Sequence, residues 1–274
     1  MSVESFLASG PLAQHQVVIE LTPASNRLKH PSEALEQAMD ALWQEKVTAQ
    51  PQIFDGAKFR LATSELAAGH LRLSWGLTSY KEYIGTCSRP DIVAQLHRDG
   101  GTLHLSRKVG VAAALVTADN KVVLLQRSSA VGAYPNMADV PGGHPEPSNI
   151  GLAFGSEYLP SDELNARCVA ELFDSITAEV EEEVNVPRSA LSPPLLLGVT
   201  LQGAAETPSY AFLLHCKLTA AQVAARYQDA KDQYESSHLI YLSADALNTE
   251  ALKLTPSAAG CLGLLRVYLE QARM

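Results

Sequence analysis

Two short stretches of this chain carry residue types that chemistry needs. The first is Pro141-Gly142-Gly143-His144-Pro145-Glu146, where paired glycines allow a tight turn and expose amide and carbonyl groups to a ligand. The second is Glu179-Val180-Glu181-Glu182-Glu183-Val184-Asn185-Val186, at the end of a long helical pattern. At about 100° per residue, Glu179, Glu182 and Glu183 fall along one edge of that helix, because their spacings are i, i+3 and i+4. Glu181 points roughly the opposite way, toward solvent. Carboxylates so placed repel one another, by roughly a few tenths of a kcal/mol per pair in water and more when desolvated. The arrangement makes sense if hard cations occupy the space between them, and oxygen-only ligands suit Mg2+ or Mn2+ rather than zinc. A solvated acidic helix end is the plainer explanation of such a run. Acids at a helix C-terminus oppose its dipole, a mild argument for another purpose. The glutamates alone leave both readings standing.

The loop and the helix end need elements to bring them together. Residues 111–117 and 122–126 are nearly continuous apolar runs joined by Asp119-Asn120, which predicts a hairpin of two buried strands. A Gly-, Pro- and Ser-rich stretch runs on to Pro160. Ser161 is the expected N-cap of the long helix, whose apolar stripe includes Leu164, Cys168, Leu172, Ile176, Val180 and Val184. Strands at 195–201 and 210–216 come next, then a helix capped by Thr219, a strand at 239–242 and a helix from Ser257. This order predicts an α/β (α+β) fold, a mixed sheet sandwiched between helices. Upstream, a strand at 16–21, a helix after Ser32 and half-buried strands at 58–61 and 71–75 form a smaller α+β segment. A loop at 76–80 and a short helix at 91–98 complete it. Gly100-Gly101 marks the expected boundary, with an N-terminal segment of residues 1–101 and a main domain of residues 102–274.

Composition narrows the class. The chain has 274 residues, 46% hydrophobic, and a formal net charge of −9. That balance is soluble and globular, and it lacks the Lys/Arg runs that displace counterions from nucleic acid. No apolar run approaches the ~20 residues of a membrane span. The first residues carry no charged n-region, so the expected setting is cytoplasmic. Cys87, Cys168, Cys216 and Cys261 are scattered without CxxC spacing and read as reduced, mostly buried thiols.

A strand, a Gly-Gly loop and then a Glu-rich helix resembles the signature of the Nudix hydrolases, Gly-x5-Glu-x7-Arg-Glu-U-x-Glu-Glu-x-Gly-U with U aliphatic. Gly143 matches the leading glycine, and Glu179, Val180, Glu182, Glu183 and Val186 match the helical half in register. The chain departs from the pattern in three ways. Ala178 stands where the family has arginine, Asn149 stands at the first glutamate position, and some twenty extra residues separate the halves. Asn185 replaces the closing glycine, a mild change because asparagine tolerates the left-handed C-cap. Residues 49–61, 76–80, 139–147 and 194–198 extend the resemblance to the UDP-sugar-hydrolysing branch of the family found in animals.

That resemblance implies a Nudix-type α/β/α sandwich and Mg2+-dependent hydrolysis of UDP-glucose or UDP-galactose to UMP and sugar 1-phosphate. Glu179 and Glu183 become the principal metal ligands, with Glu182 ligating directly or through water and the Gly142 carbonyl completing the shell. The water-activating base is a metal-bound hydroxide with a helix glutamate, or a later acid, with Glu235 ranked ahead of Glu206. Arg127 is placed to hold a phosphate, His144 to hydrogen-bond a phosphate or ribose hydroxyl, and Asp139 and Glu146 to read sugar or base hydroxyls. Phe54 and Tyr80, expected in loops, are the aromatic platform for uracil. Hydrolysis of ADP-ribose, coenzyme A or dinucleoside polyphosphates is a second reading. A Nudix-like binding module without catalysis, suggested by Ala178 and Asn149, is a third.

Overall fold

A computed structural model of the chain describes residues 3–129, 134–230 and 236–273, with residues 3–10 as backbone alone. In chain order the elements are β1 (Val3–Leu12), β2 (Val17–Leu21), α1 (Glu33–Ala49), β3 (Ala57–Ala67), β4 (His70–Ser79), α2 (Tyr80–Thr86) and α3 (Pro90–Gly100). They continue with β5 (Gly110–Val116), β6 (Lys121–Arg127), β7 (Ala138–Asp139), β8 (Gly142–Gly143), α4 (Asp162–Val184), β9 (Leu195–Gln202), β10 (Thr207–His215), α5 (Ala220–Tyr227), β11 (Ser236–Ser243) and α6 (Pro256–Arg273).

The larger sheet runs β1-β9-β10-β5-β6-β11, with β10 parallel to β5 and the other pairs antiparallel. Its two faces are built by alternation along β5. Val111, Ala113 and Leu115 enter the core that contains the α4 stripe, while Ala112, Ala114 and Val116 face α6. The fold is therefore an α/β/α sandwich with a mixed sheet. The smaller sheet, β2-β4-β3, lies on the α4 side and shares that core through Ile19, Phe59 and Trp75. Trp75 Nε1 donates to the Tyr210 hydroxyl at 3.3 Å, a buried bond from the smaller sheet to the larger.

The detail that makes a site possible is where β5 and β6 separate. Their ladder holds at Leu115↔Val123 and Val116↔Val122 and goes no further. Beyond it, β8 pairs with β5 and β7 pairs with β6, so the strand ends are filled by the loop strands.

One stretch left unassigned by the sequence takes a place, and one expectation changes. β1 is a strand of the larger sheet, paired to β9, with a register shift between Leu7 and Leu12. Gly10-Pro11 falls inside that shift, and proline is accepted on an edge strand that owes no ladder bond there. Residues 76–79 are also strand rather than loop. β4 runs on to Ser79, whose side chain caps α2 by accepting from the Glu82 amide, so Tyr80 is a helical residue and not a loop aromatic.

Basic side chains link the smaller sheet to the residues that follow Gly101. Arg60, buried, donates to the carbonyls of Ser25, Thr102 and Leu105, and Arg107 donates to those of Leu61, Ala62 and Glu206. Burial pushes the Arg60 guanidinium down to about 10, with Arg107 adding to the effect. Tyr210→Phe should lower unfolding stability by about 1–3 kcal/mol, because it strands the buried Trp75 N–H. Urea denaturation measures this directly, and an unchanged midpoint would show that the Trp75–Tyr210 bond contributes nothing.

Candidate active site

The glycine loop and the glutamate helix meet as the spacing requires. The Gly142 amide donates to Glu183 Oε2 at 2.9 Å. Gly143 lies so close to Glu179 that an added Cβ would sit 1.8 Å from its Oε1. At Gly142 an added Cβ would sit 2.4 Å from the Val111 carbonyl oxygen. Neither glycine has a positive φ. Both are needed for close approach, not for a turn, since they form β8 against β5.

The helix presents its acids as the periodicity implies. Glu179, Glu182 and Glu183 are half-buried, whereas Glu181 is exposed and lies 3.5 Å from Arg188 Nε. Ser161 accepts from the Leu164 amide at the start of α4, and Asn185 closes it with φ 57°. Among the described residues, no group of three His, Cys, Asp or Glu side chains is gathered tightly enough to hold an ion.

Spacing did not reveal Glu171. Buried on α4, it accepts from the Glu146 amide at 2.8 Å and from Asn149 Nδ2 at 3.0 Å. Burial raises its pKa, and those two hydrogen bonds oppose the shift. Glu171 thus pins the descending arm of the loop, and Asn149, where the motif expects glutamate, serves as its partner. The readable signal was an acid on the buried side of an otherwise apolar stripe.

A cleft of about 350 Å³ opens beside the loop. Gly142, Gly143, His144, Arg127, Asp139 and Tyr80 all line it. Arg127 Nη1 lies 3.2 Å from Asp139 Oδ2, and Asp139 Oδ1 accepts from Thr255 Oγ1 at 2.7 Å and from the Val140 amide at 3.0 Å. Burial raises the Asp139 pKa, and the Thr255 hydroxyl and Arg127 pull it back. Thr207, Ser209, Thr255 and Ser257 also line the cleft and make it rich in hydroxyls.

A second cavity of about 360 Å³ lies on the N-terminal side, lined by Gln52, Ile53, Phe54, Gly56 and Lys58. Phe54 is 77% exposed, so packing does not explain it. Tyr80, Lys108 and His144 line both cavities and join them. His144 is held well below the ordinary histidine range by burial and then by the nearby Lys108 and Lys58 charges. Glu146 is ion-paired with Lys58. Glu206 lies in the β9–β10 turn, its carboxylate 3.7 Å from Arg107. Glu235 lies outside the described residues. The structure thus gathers Tyr80, Arg127, Asp139, His144 and the glycine loop at one cleft, with Phe54 at its outer lobe. Lys58, Tyr83 and Lys108 are lining residues that spacing did not reveal. A lysine immediately ahead of a buried strand was the available clue to Lys108.

An α/β/α sandwich whose Gly-Gly strand docks on a glutamate-bearing helix end is the arrangement expected of a Nudix hydrolase. No family model matches the chain. Curated relatives do. The uridine diphosphate glucose pyrophosphatase NUDT22 of Mus musculus is 37% identical over 270 residues, 92% of this chain and 86% of the relative. The Homo sapiens protein of the same name is 37% identical over 271 residues, 92% of this chain and 88% of the relative. Nudix hydrolase 9 of Arabidopsis thaliana is 28% identical over 279 residues, covering 96% and 89%. Among solved structures, a MutT protein from Methanosarcina mazei Go1 aligns at 17% identity and TM-score 0.38 over 61% of this chain and 95% of its own. A C. elegans Ap4A hydrolase aligns at 15% identity and TM-score 0.35 over 60% and 98%. With identity of this level along nearly the whole chain, the protein belongs to the Nudix hydrolases and is an enzyme of that family.

Gly143→Ala forces the Glu179 carboxylate out of its seat. The expected result is a hydrolytic rate lower by about 100-fold with an unchanged far-UV circular dichroism spectrum. An unaltered rate would show that the seat of Glu179 is irrelevant to turnover.

Proposed function

We propose that this enzyme hydrolyses the diphosphate of a UDP-sugar, UDP-glucose or UDP-galactose, to UMP and a sugar 1-phosphate. The observation that carries this reading is the two-lobed cleft beside the loop–helix junction. One lobe offers the exposed ring of Phe54 with Tyr80 nearby, the other offers hydroxyls and Arg127, and the Gly142–Gly143 strand lines the latter. A flat base suits the first lobe, because stacking is worth about 1–3 kcal/mol and tolerates an open site. A hexose suits the second. The 37% identical relatives named as uridine diphosphate glucose pyrophosphatases support the same substrate.

The donor set near the loop fits a hard divalent cation, Mg2+ or Mn2+. Its carboxylates are half-buried and supply only oxygen. Glu179 and Glu183, both against the glycine pair, would be its principal ligands with the Gly142 carbonyl, and Glu182 would ligate directly or through water. A cation there neutralises phosphoryl oxygens and lowers the pKa of bound water.

In this reading Arg127 holds a phosphate oxygen, and Asp139 braces the guanidinium while Thr255 braces Asp139. Phe54 and Tyr80 come from the N-terminal segment, which gives residues 1–101 the task of selecting the nucleoside. Glu146 acts from beside Lys58, and the water is deprotonated either with a helix glutamate as base or by a later acid, Glu235 ranked ahead of Glu206. No helix among the described residues is long and apolar enough to cross a membrane. We place the activity in the cytoplasm on composition.

The test is turnover of a panel comprising UDP-glucose, UDP-galactose, ADP-ribose, coenzyme A and a dinucleoside polyphosphate with Mg2+. UDP-sugars should be preferred. Preference for ADP-ribose would overturn the substrate, and no turnover of any of them would overturn the activity. Glu183→Gln retains an oxygen for the Gly142 amide but loses the charge, so kcat should fall by about 10²–10⁴ without loss of fold. Glu181→Gln should leave kcat unchanged. Phe54→Ala should raise KM by roughly 5- to 150-fold with kcat nearly constant, as expected from loss of base stacking.

A further inference from the structure

Lys108 precedes β5 and does something its neighbours do not. Arg60 and Arg107 spend their donors on backbone carbonyls and serve the fold. Lys108 has no such partners. Its ammonium contacts His144 Nε2 and lies 4.5 Å from the centre of the Tyr83 ring. Only 9% of the residue is exposed, yet it lines both lobes of the cleft at their junction. Among the described residues no carboxylate lies in ion-pair range of it, and Glu146, the nearest acid acting on it, is paired with Lys58.

A desolvated cation with only neutral partners is costly, by several kcal/mol for an ammonium left without an anion. Such an arrangement makes sense where the missing anion arrives with the ligand. The position fixes which part of the ligand that is. With a base in the Phe54 lobe and a sugar in the hydroxyl lobe, the connecting diphosphate crosses the junction. We infer that Lys108 binds the substrate's diphosphate at the junction of the two lobes, and that His144 is the positioning residue that accepts a hydrogen bond from its ammonium. This rests on reading the cleft as a nucleoside diphosphate site, though not on which base or sugar fills it.

The electrostatics agree. Burial, then Lys58, push Lys108 down to about 7, while Cys87 and Glu146 act weakly upward. The groups facing it are His144 and Glu146 from the loop, Lys58 from β3, and Tyr83 and Cys87 from α2 and its end. Tyr83 is pushed up to about 12 and Cys87 upward, both by burial, and His144 is held low, so none of these three ionises near neutrality. A bound diphosphate favours the ammonium. The Lys108 contribution to affinity is therefore present in full below about pH 7 and declines as pH rises above it.

The test is calorimetric titration of the full-length enzyme, wild type and Lys108→Met, with Mg2+ and four ligands: uridine, UMP, UDP and inorganic pyrophosphate. Lys108→Met should lower affinity for UDP and pyrophosphate roughly 10- to 100-fold, leave uridine unchanged, and flatten the decline above pH 7. Its Tm should equal or exceed that of wild type, because a desolvated charge has been removed. Unchanged UDP and pyrophosphate affinity overturns the inference. So does an equal loss for uridine, UMP and UDP with a lowered Tm, which marks a structural lysine, or an absence of pyrophosphate and UDP binding to wild type. If wild type ignores uridine and UMP while pyrophosphate binding depends on Lys108, the inference stands and the UDP-sugar reading fails.

Discussion

Where β5 and β6 part, the sheet loses a stretch of ladder, and the Gly142 amide finds its acceptor on a helix instead of a strand. Glu183 supplies that acceptor, and the neighbouring Glu179 occupies the space that a side chain at position 143 would need. A charge-assisted bond of this kind is worth more than an ordinary backbone bond. Its larger effect is geometric. It fixes the height of the loop on the sheet and the rotation of the last turns of α4 together, so neither can shift without the other. Glu171 repeats the device a little over three turns nearer the start of α4, holding the Glu146 amide and Asn149. The loop is thus tied to one helix at both of its arms, and its lining residues Gly142, Gly143 and His144 inherit their positions from that helix.

The wall opposite the loop is the work of the N-terminal segment, and its rigidity has a different source. Ile19, Phe59 and Trp75 belong to the same core as the α4 stripe. Arg60 and Arg107 add donors across the segment, each satisfied by carbonyl oxygens. Buried guanidinium groups that lack hydrogen bonds are expensive, and these have them. Phe54 can remain exposed because its loop is anchored at both ends, by α1 before it and β3 after it.

Much of this is legible in the sequence, for local reasons. The α4 stripe, its Ser161 cap, the left-handed Asn185 and the outward Glu181 come from a 3.6-residue period and from what single side chains tolerate. Features that depend on partners distant in sequence are not legible in this way. β1 joins β9 nearly two hundred residues later, and Gly10-Pro11 hides its alternation. Residues 76–79 read as a turn because Gly, Thr and Ser suit turns, yet pairing with β3 holds them extended. Glu171 reads as one more helix acid until the loop comes down on it. Lys108 gives no periodic signal at all. Its meaning comes from the cleft on either side, which only the packing of α2, β5 and the loop creates.

Charge gives the site its direction. The chain is acidic, at −9, and Glu179 and Glu183 lie against the glycine pair of the loop. Lys58 and Lys108 line the outer lobe of the cleft. In the proposed reading a diphosphate would meet lysine on one side and, through a cation, carboxylate on the other. Net negative charge would otherwise repel such a substrate. The same logic explains why, among the described residues, no carboxylate is paired with Lys108. An acid beside it would satisfy the ammonium in the empty enzyme and remove the reason to bind. The cost of holding that charge unpaired is stored in the free protein and released when the anion enters, so stability is surrendered at the position where affinity is gained.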